Sequence, residues 1–377
     1  KAYPGCRVLA IKSGNVIVDR SYGHQTYENR KKVTNQTVYD LASITKIAST
    51  TLSLLQLTDL NKFDPNNNLC DYLPDIADTS DYFNMNLKEI LSHTAGLKPW
   101  IPFYDYTLVN KTPSSKYYRN FPKDGYSKVA DKLYIDHSYA DSIYSKILTN
   151  PLRDKRNYKY SDLGYYLIYR MFPHMTSLSL EDYVSANFYT PLGLKTIGYH
   201  PLKRMNKNLI APTENDRLFR NQVLRGYVHD PGAAMLGGAC GHAGLFSNAY
   251  DIATIMQLFL DKGNYAGEQF FNSTTFDFYN TAHFAKDKNR RGVGFDKPVM
   301  NPDSGPVCNS ASASSFGHSG FTGTLVWADP EKDLVYVFLS NRVYPDAGNR
   351  KLIDMNIRTD IQQVLYDAID KAEHRNS

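Results

Sequence analysis

Ser43 and Lys46 stand three residues apart in the run Leu41-Ala42-Ser43-Ile44-Thr45-Lys46-Ile47-Ala48. On a helix that spacing puts a hydroxyl and an amine on one face, within reach of each other. Lys46 lies among Leu41, Ala42, Ile44, Ile47, Ala48 and Leu52, surroundings too apolar for a solvated lysine. A lysine held there must either find a carboxylate or give up its proton readily, because desolvation lowers an amine pKa. A neutral amine beside a hydroxyl is a base beside a nucleophile. The alternative is a serine at a helix start and a lysine snorkelling out of a core helix.

Two further groupings gain meaning beside this pair. Tyr160-Ser161-Asp162 precedes the helical pattern Gly164–Met171, which leaves Tyr160 at the mouth of a loop. A tyrosine there serves as a general base if cations depress its pKa from about 10. Gly317-His318-Ser319-Gly320-Phe321-Thr322-Gly323 leads into a strand. It is not a hydrolase nucleophile elbow: the closing glycine would fall at Phe321, and a strand follows where that elbow needs a helix. A glycine-rich strand edge instead lets a substrate lie along the backbone with N–H donors exposed. A tight turn into a strand is the plainer reading.

Positioning these groups requires both ends of the chain. Residues 7–23 read as a hairpin turning at Ser13-Gly14-Asn15. A helix is expected from Asp40, with Asp40 as N-cap and Ile44, Ile47, Thr51 and Leu54 on one face. A second helix covers about Leu87 to Ser92 and stops at Gly96. Helical patterns then recur at Leu180–Phe188, Ala249–Leu260 and Thr274–Tyr279, among tyrosine-rich connections. Strands return at Gly323–Ala328 and Leu334–Ser340. A last helix spans about Asp354 to Ala372, with Ile357, Ile361, Val364, Leu365 and Ile369 as its apolar stripe. The reading is one α/β unit from residues 1–85 plus 286–377, with a mostly helical subdomain, 86–285, inserted.

The 377 residues suffice for two or three folding units at about 150 each. With 42% hydrophobic and 21% charged residues the composition is globular. A net charge of +5 is too weak and too dispersed for a nucleic-acid surface. The short basic runs at 29–32, 153–156 and 286–291 read as solvated loops. No apolar stretch approaches the ~20 residues that span a bilayer. Cys6, Cys70, Cys240 and Cys308 are too few and scattered for a disulfide framework and show no metal-site spacing. No cofactor and no metal is expected.

A Ser-x-x-Lys opening a core helix, a Tyr-x-Asn-like triplet about 115 residues later and a His-x-Gly strand edge near the C-terminus together resemble the serine β-lactamase-related superfamily. The nearest branch holds class C β-lactamases, esterases and D-alanyl-D-alanine peptidases. The phrases Ile90-Leu91-Ser92-His93-Thr94-Ala95-Gly96-Leu97, Pro191-Leu192-Gly193-Leu194 and Gly241-His242-Ala243-Gly244-Leu245-Phe246-Ser247 follow the family's order.

The resemblance implies an α/β (α+β type) fold with a mainly antiparallel sheet flanked by N- and C-terminal helices. It makes Ser43 the nucleophile, Lys46 its proton acceptor or electrostatic partner, and Tyr160 the base that later returns the proton. The N–H groups of Ser43 and Phe321 would form the oxyanion hole, with His318, Gly320 and Asp162 beside the substrate. It further implies a periplasmic or secreted enzyme acting on a small molecule or peptide, with fusion to or association with another enzyme domain open.

Two departures matter. An unperturbed His318 is mostly neutral at pH 7 where β-lactamases and transpeptidases usually carry lysine. Asp162 stands where the family often has Asn, and its charge should keep Lys46 protonated and oppose ionisation of Tyr160. The expectation is therefore a serine hydrolase of esters or small amides with little β-lactam turnover. A D-alanyl-D-alanine carboxypeptidase or β-lactamase, or a non-catalytic accessory module, are the alternatives. The tyrosine-rich stretch from about 100 to 160, with Trp100, is expected to wall the site or simply to pack. His93, His229 and His242 are expected to be hydrogen-bonded structural residues.

Overall fold

The computed structural model describes residues 1–154, 157–299 and 305–376, so Lys155 and Arg156 of the second basic run lie outside the described residues. The predicted hairpin is β1 (Gly5–Lys12) and β2 (Asn15–Gly23). Its turn needs positive φ at Ser13 (49°) and Gly14 (72°). Among the helices that follow are α1 (Leu52–Asp59), α2 (Leu163–Thr176) and α3 (Ala249–Leu260). After them come β3 (Phe316–Gly320), β4 (Thr324–Asp329), β5 (Leu334–Ser340) and α4 (Ile357–Asn376).

The five strands pair antiparallel in the order β3-β4-β5-β1-β2, so the two chain ends build one sheet. β2 is largely exposed at one edge, while β1 and β4–β5 are covered on both faces, with side chains alternating between them. Leu9, Val326, Val335, Val337 and Leu339 face the main core, where α3 adds Ile252, Ile255, Met256 and Phe259. Cys6, Val8, Leu325, Trp327, Tyr336 and Phe338 face the other way, against Ile357, Ile361 and Leu365 of α4. Val364, expected in that stripe, is 66% exposed. At 100° per residue it is turned away from the seam that Leu365 already fills.

No helix starts at Asp40. Tyr39–Asp40 is a short strand paired with Phe246–Ser247. A 3₁₀ turn, Ala42–Ile44, and a π-helical stretch, Lys46–Thr51, lead into α1. The Asp40 carboxylate explains the change, because it accepts from the Ala42 N–H at 2.8 Å two residues on and bends the chain there. Between 118 and 136 a three-stranded ladder (Tyr118–Arg119, Tyr126–Ala130, Leu133–Asp136) occupies what the sequence shows only as polar, tyrosine-rich connection. Strands this short and charged carry no legible period of two.

Candidate active site

The apolar floor of the site is the Ser43 turn and the π-helical stretch after it. There Lys46 is fully buried. Its ammonium donates to Ser43 Oγ at 3.1 Å and to Asp162 Oδ1 at 2.6 Å. Of the two outcomes open to a buried lysine, this one has found its carboxylate. Burial opposes the charge, but Asp162 holds the Lys46 pKa above the ordinary lysine value. Because Ser43 Oγ accepts from the ammonium, its own proton is free to point elsewhere.

Tyr160 and Asp162 arrive together at the entrance of α2, where Asp162 is the N-cap residue. The Tyr160 ring packs on His93 at 4.5 Å between centroids, and His93 Nδ1 accepts the Ser161 N–H at 3.2 Å. His93 is thus the structural histidine expected, and it fixes the loop carrying Tyr160. Lys46 lies 4.9 Å and Arg291 5.1 Å from the Tyr160 ring centroid. The Tyr160 hydroxyl is buried and completes no hydrogen bond of good geometry. Its pKa stands above the usual value because burial outweighs the pull of the two cations, while Asp162 adds repulsion.

The β3 edge supplies the opposite wall. Gly317 exchanges both backbone hydrogen bonds with Asp296, which covers the first half of the edge strand. Gly320 lies so close to the nucleophile turn that a Cβ would come within 2.4 Å of the Leu41 carbonyl oxygen, so only glycine fits. His318 is 2% exposed. Its Nδ1–H donates to the Ser319 carbonyl at 2.7 Å, which leaves Nε2 to accept from Arg291 at 3.2 Å. Burial and the Arg291 charge push its pKa well below that of free histidine, so it is the neutral imidazole.

Arg291 corrects the reading of 286–291 as a solvated loop. Its side chain is buried and reaches Tyr158 Oη at 3.1 Å and Asp296 Oδ2 at 2.9 Å. Arg290 shares the same Asp296, leaving two guanidinium groups against one carboxylate. A lasting positive charge therefore stands directly behind the neutral His318. The glycine-rich apolar run Gly292-Val293-Gly294-Phe295 just after Arg291 was the available signal that this end of the basic run enters the core.

Ser43, Tyr160, Asp162, His318 and Phe321 line one cavity of about 910 Å³. Trp100, Tyr104 and Tyr158 line it too, whereas Tyr118, Tyr139 and Tyr144 of the same stretch are packed in the core. Phe321 is 55% exposed at the rim, held between the His229 ring at 5.4 Å and the Arg342 guanidinium at 4.8 Å. His229 and His242 are also on the wall, paired with Glu214 at 2.7 Å and Asp230 at 3.0 Å. Among the described residues no group of three or more His, Cys, Asp or Glu is placed to hold a metal ion. The arrangement offers a hydroxyl touched by a cation, a buried phenol between two positive charges, and an open strand edge, which are the parts acyl transfer needs.

Comparisons with known proteins bear on the family and the fold. The beta-lactamase family model matches residues 1–356. A protein of Escherichia coli strain K12, provisionally named a D-alanyl-D-alanine carboxypeptidase, is 30% identical over 384 residues, covering 92% of this chain and 80% of its own. A penicillin-binding protein homologue from Caulobacter crescentus superposes with a TM-score of 0.63 at 18% identity, over 90% of this chain and 87% of its own. A hydrolase with promiscuous acyltransferase activity does so with a TM-score of 0.60 at 17% identity, over 93% of each chain.

Proposed function

The chain belongs to the beta-lactamase family and is a serine hydrolase of the penicillin-binding-protein fold; from that premise we propose that Ser43 forms an acyl-enzyme with an ester or small amide and that water then releases the acid. The observation that carries the proposal is Ser43 Oγ at 3.1 Å from a buried, carboxylate-held ammonium, in the cavity that Tyr160 also lines.

In the proposed step Ser43 Oγ bonds to the carbonyl carbon while its proton passes to the Tyr160 phenolate. The developing oxyanion is met by the N–H groups of Ser43 and Phe321. The bond to the leaving group then breaks, and Tyr160 returns the proton to it. Lys46 stays an ammonium throughout and stabilises the phenolate and the attacking oxygen. Since burial keeps Tyr160 protonated at rest, the reactive form is populated more as pH rises.

Two sequence arguments spoke for weak β-lactam turnover. The missing strand-edge charge is supplied from behind by Arg291, so that argument falls away. The other stands: Asp162 stabilises the Lys46 ammonium and opposes the phenolate. A second reading, a carboxypeptidase releasing a residue with a free carboxylate, is favoured by the excess of guanidinium over carboxylate at Arg290, Arg291 and Asp296. A periplasmic or secreted location belongs to the same proposal and rests on the family resemblance.

The test is a turnover screen of p-nitrophenyl esters, D-alanyl peptides and nitrocefin on wild type and Ser43→Ala. Ester or small-amide turnover lost in the variant, with slow nitrocefin hydrolysis, is expected. Rapid steady-state nitrocefin turnover lost in Ser43→Ala would overturn the restriction on β-lactams, and D-alanyl peptides as the best substrates would establish the carboxypeptidase reading.

A further inference from the structure

Asp40 is 3% exposed and makes no ion pair among the described residues, yet all of its oxygens are engaged at one junction. Carboxylate Oδ1 accepts the Ala42 N–H at 2.8 Å and Oδ2 accepts the His229 N–H at 2.7 Å. Its backbone carbonyl accepts from Thr322 Oγ1 at 2.7 Å, and the next carbonyl, Leu41, accepts from Thr324 Oγ1 at 3.2 Å. One residue therefore ties together the turn before the nucleophile, the loop just after the β3 edge and the segment whose histidine stacks on Phe321.

The backbone it holds is not relaxed. Ala42, immediately before Ser43, has φ of +48°, a left-handed conformation that a residue with a Cβ adopts only under constraint. That conformation constrains the peptide that carries the Ser43 N–H, and the Thr322 link holds the residue just before Phe321. The N–H groups of Ser43 and Phe321 are the two donors assigned above to the oxyanion. Burying a carboxylate away from a cation is costly, and here the return is geometric, since both oxygens are spent on backbone N–H groups.

We infer that Asp40 is a positioning residue for the oxyanion hole, acting through Ala42 on Ser43, through Thr322 on Phe321, and through His229 on the Phe321 ring. The inference rests on the serine-hydrolase reading and extends it to a residue that never touches substrate.

The test is the kinetics of labelling by a fluorophosphonate probe, resolved into its binding constant and its maximal labelling rate per active site, with the labelled fraction counted by mass spectrometry. Asp40→Asn keeps size and one acceptor but turns an N–H₂ toward a backbone donor. It is expected to lower the maximal rate per competent site about tenfold to a hundredfold, somewhat less than outright loss of an oxyanion donor, and to leave the binding constant within about threefold. Thr322→Val removes the link at its other end without touching the carboxylate and is expected to lower the same rate about fivefold. A merely structural role predicts fewer competent sites and a lower melting point, with an unchanged rate at each site. That result in either variant overturns the inference while wild-type labelling still supports the hydrolase. If wild type takes no label at Ser43, the hydrolase reading fails and the inference falls with it.

Discussion

Lys46 sits between two demands: burial asks it to be neutral, and Asp162 at 2.6 Å keeps it charged. The same carboxylate opposes loss of the Tyr160 proton, so it holds down the phenolate directly while keeping in place the ammonium that favours it. Asp162→Asn removes that charge, the ammonium and the phenol both lose protons at lower pH, and the rising limb of kcat/KM against pH is expected to move down by about one unit. An unshifted limb would show that neither group titrates in the rate profile. That Ser43, Lys46 and Tyr160 come together was legible because acyl transfer would need those residue types in those settings. Arg291 and Asp40 were missed: Arg291 meets Tyr158 and His318, and Asp40 meets His229, only after distant segments fold, and the apolar run after Arg291 was the local mark passed over. The conflict over Asp162 was legible from charge alone, while the replacement of a strand-edge cation by an arginine behind a neutral histidine needed coordinates.

The loop 237–245 lines the cavity with His242 and Ala243, and an ion pair anchors it beside the short helix Pro231–Met235, which Asp230 caps at 2.7 Å through the Ala233 N–H. His242 stacks on Tyr166 at 4.4 Å and faces Asp230. Burial would lower the His242 pKa, but the Asp230 carboxylate pushes it up to about 10. A raised histidine pKa stabilises fully below the unfolded value near 6.5 and is lost as pH climbs through the folded value. The stability difference between wild type and His242→Gln is therefore expected to be largest near pH 6, roughly 3 kcal/mol, and to shrink toward pH 10. Urea midpoints measured across that range check it, and a difference that is flat or grows with pH would contradict it. At this scale the hairpin, α2, α3 and the C-terminal strands were readable from alternation and apolar spacing. The helix expected at Asp40 was misplaced because its carboxylate serves a turn and a distant loop instead of a helix start.

Across the whole molecule, the cavity is lined both by the sheet built from the two chain ends and by residues between them in sequence. β3 lines it with His318 and Ser319, and Trp100, Tyr104 and Phe219 offer apolar surface. Trp100→Ala is expected to raise the ratio of KM for p-nitrophenyl octanoate to that for the acetate about tenfold, the loss of partial burial of a chain of methylenes. An unchanged ratio would place the acyl chain elsewhere. The resemblance carried the fold because its motifs are spread over nearly the full length, whereas the packing of the tyrosines, some on the site and some in the core, is a property of three dimensions alone. The central claim is that Ser43 is an activated nucleophile. Intact-protein mass spectrometry with peptide mapping after fluorophosphonate treatment tests it most directly: one covalent adduct per chain on the peptide holding Ser43, absent in Ser43→Ala, is predicted, and an unmodified wild-type chain, or an adduct on any other residue, would contradict it.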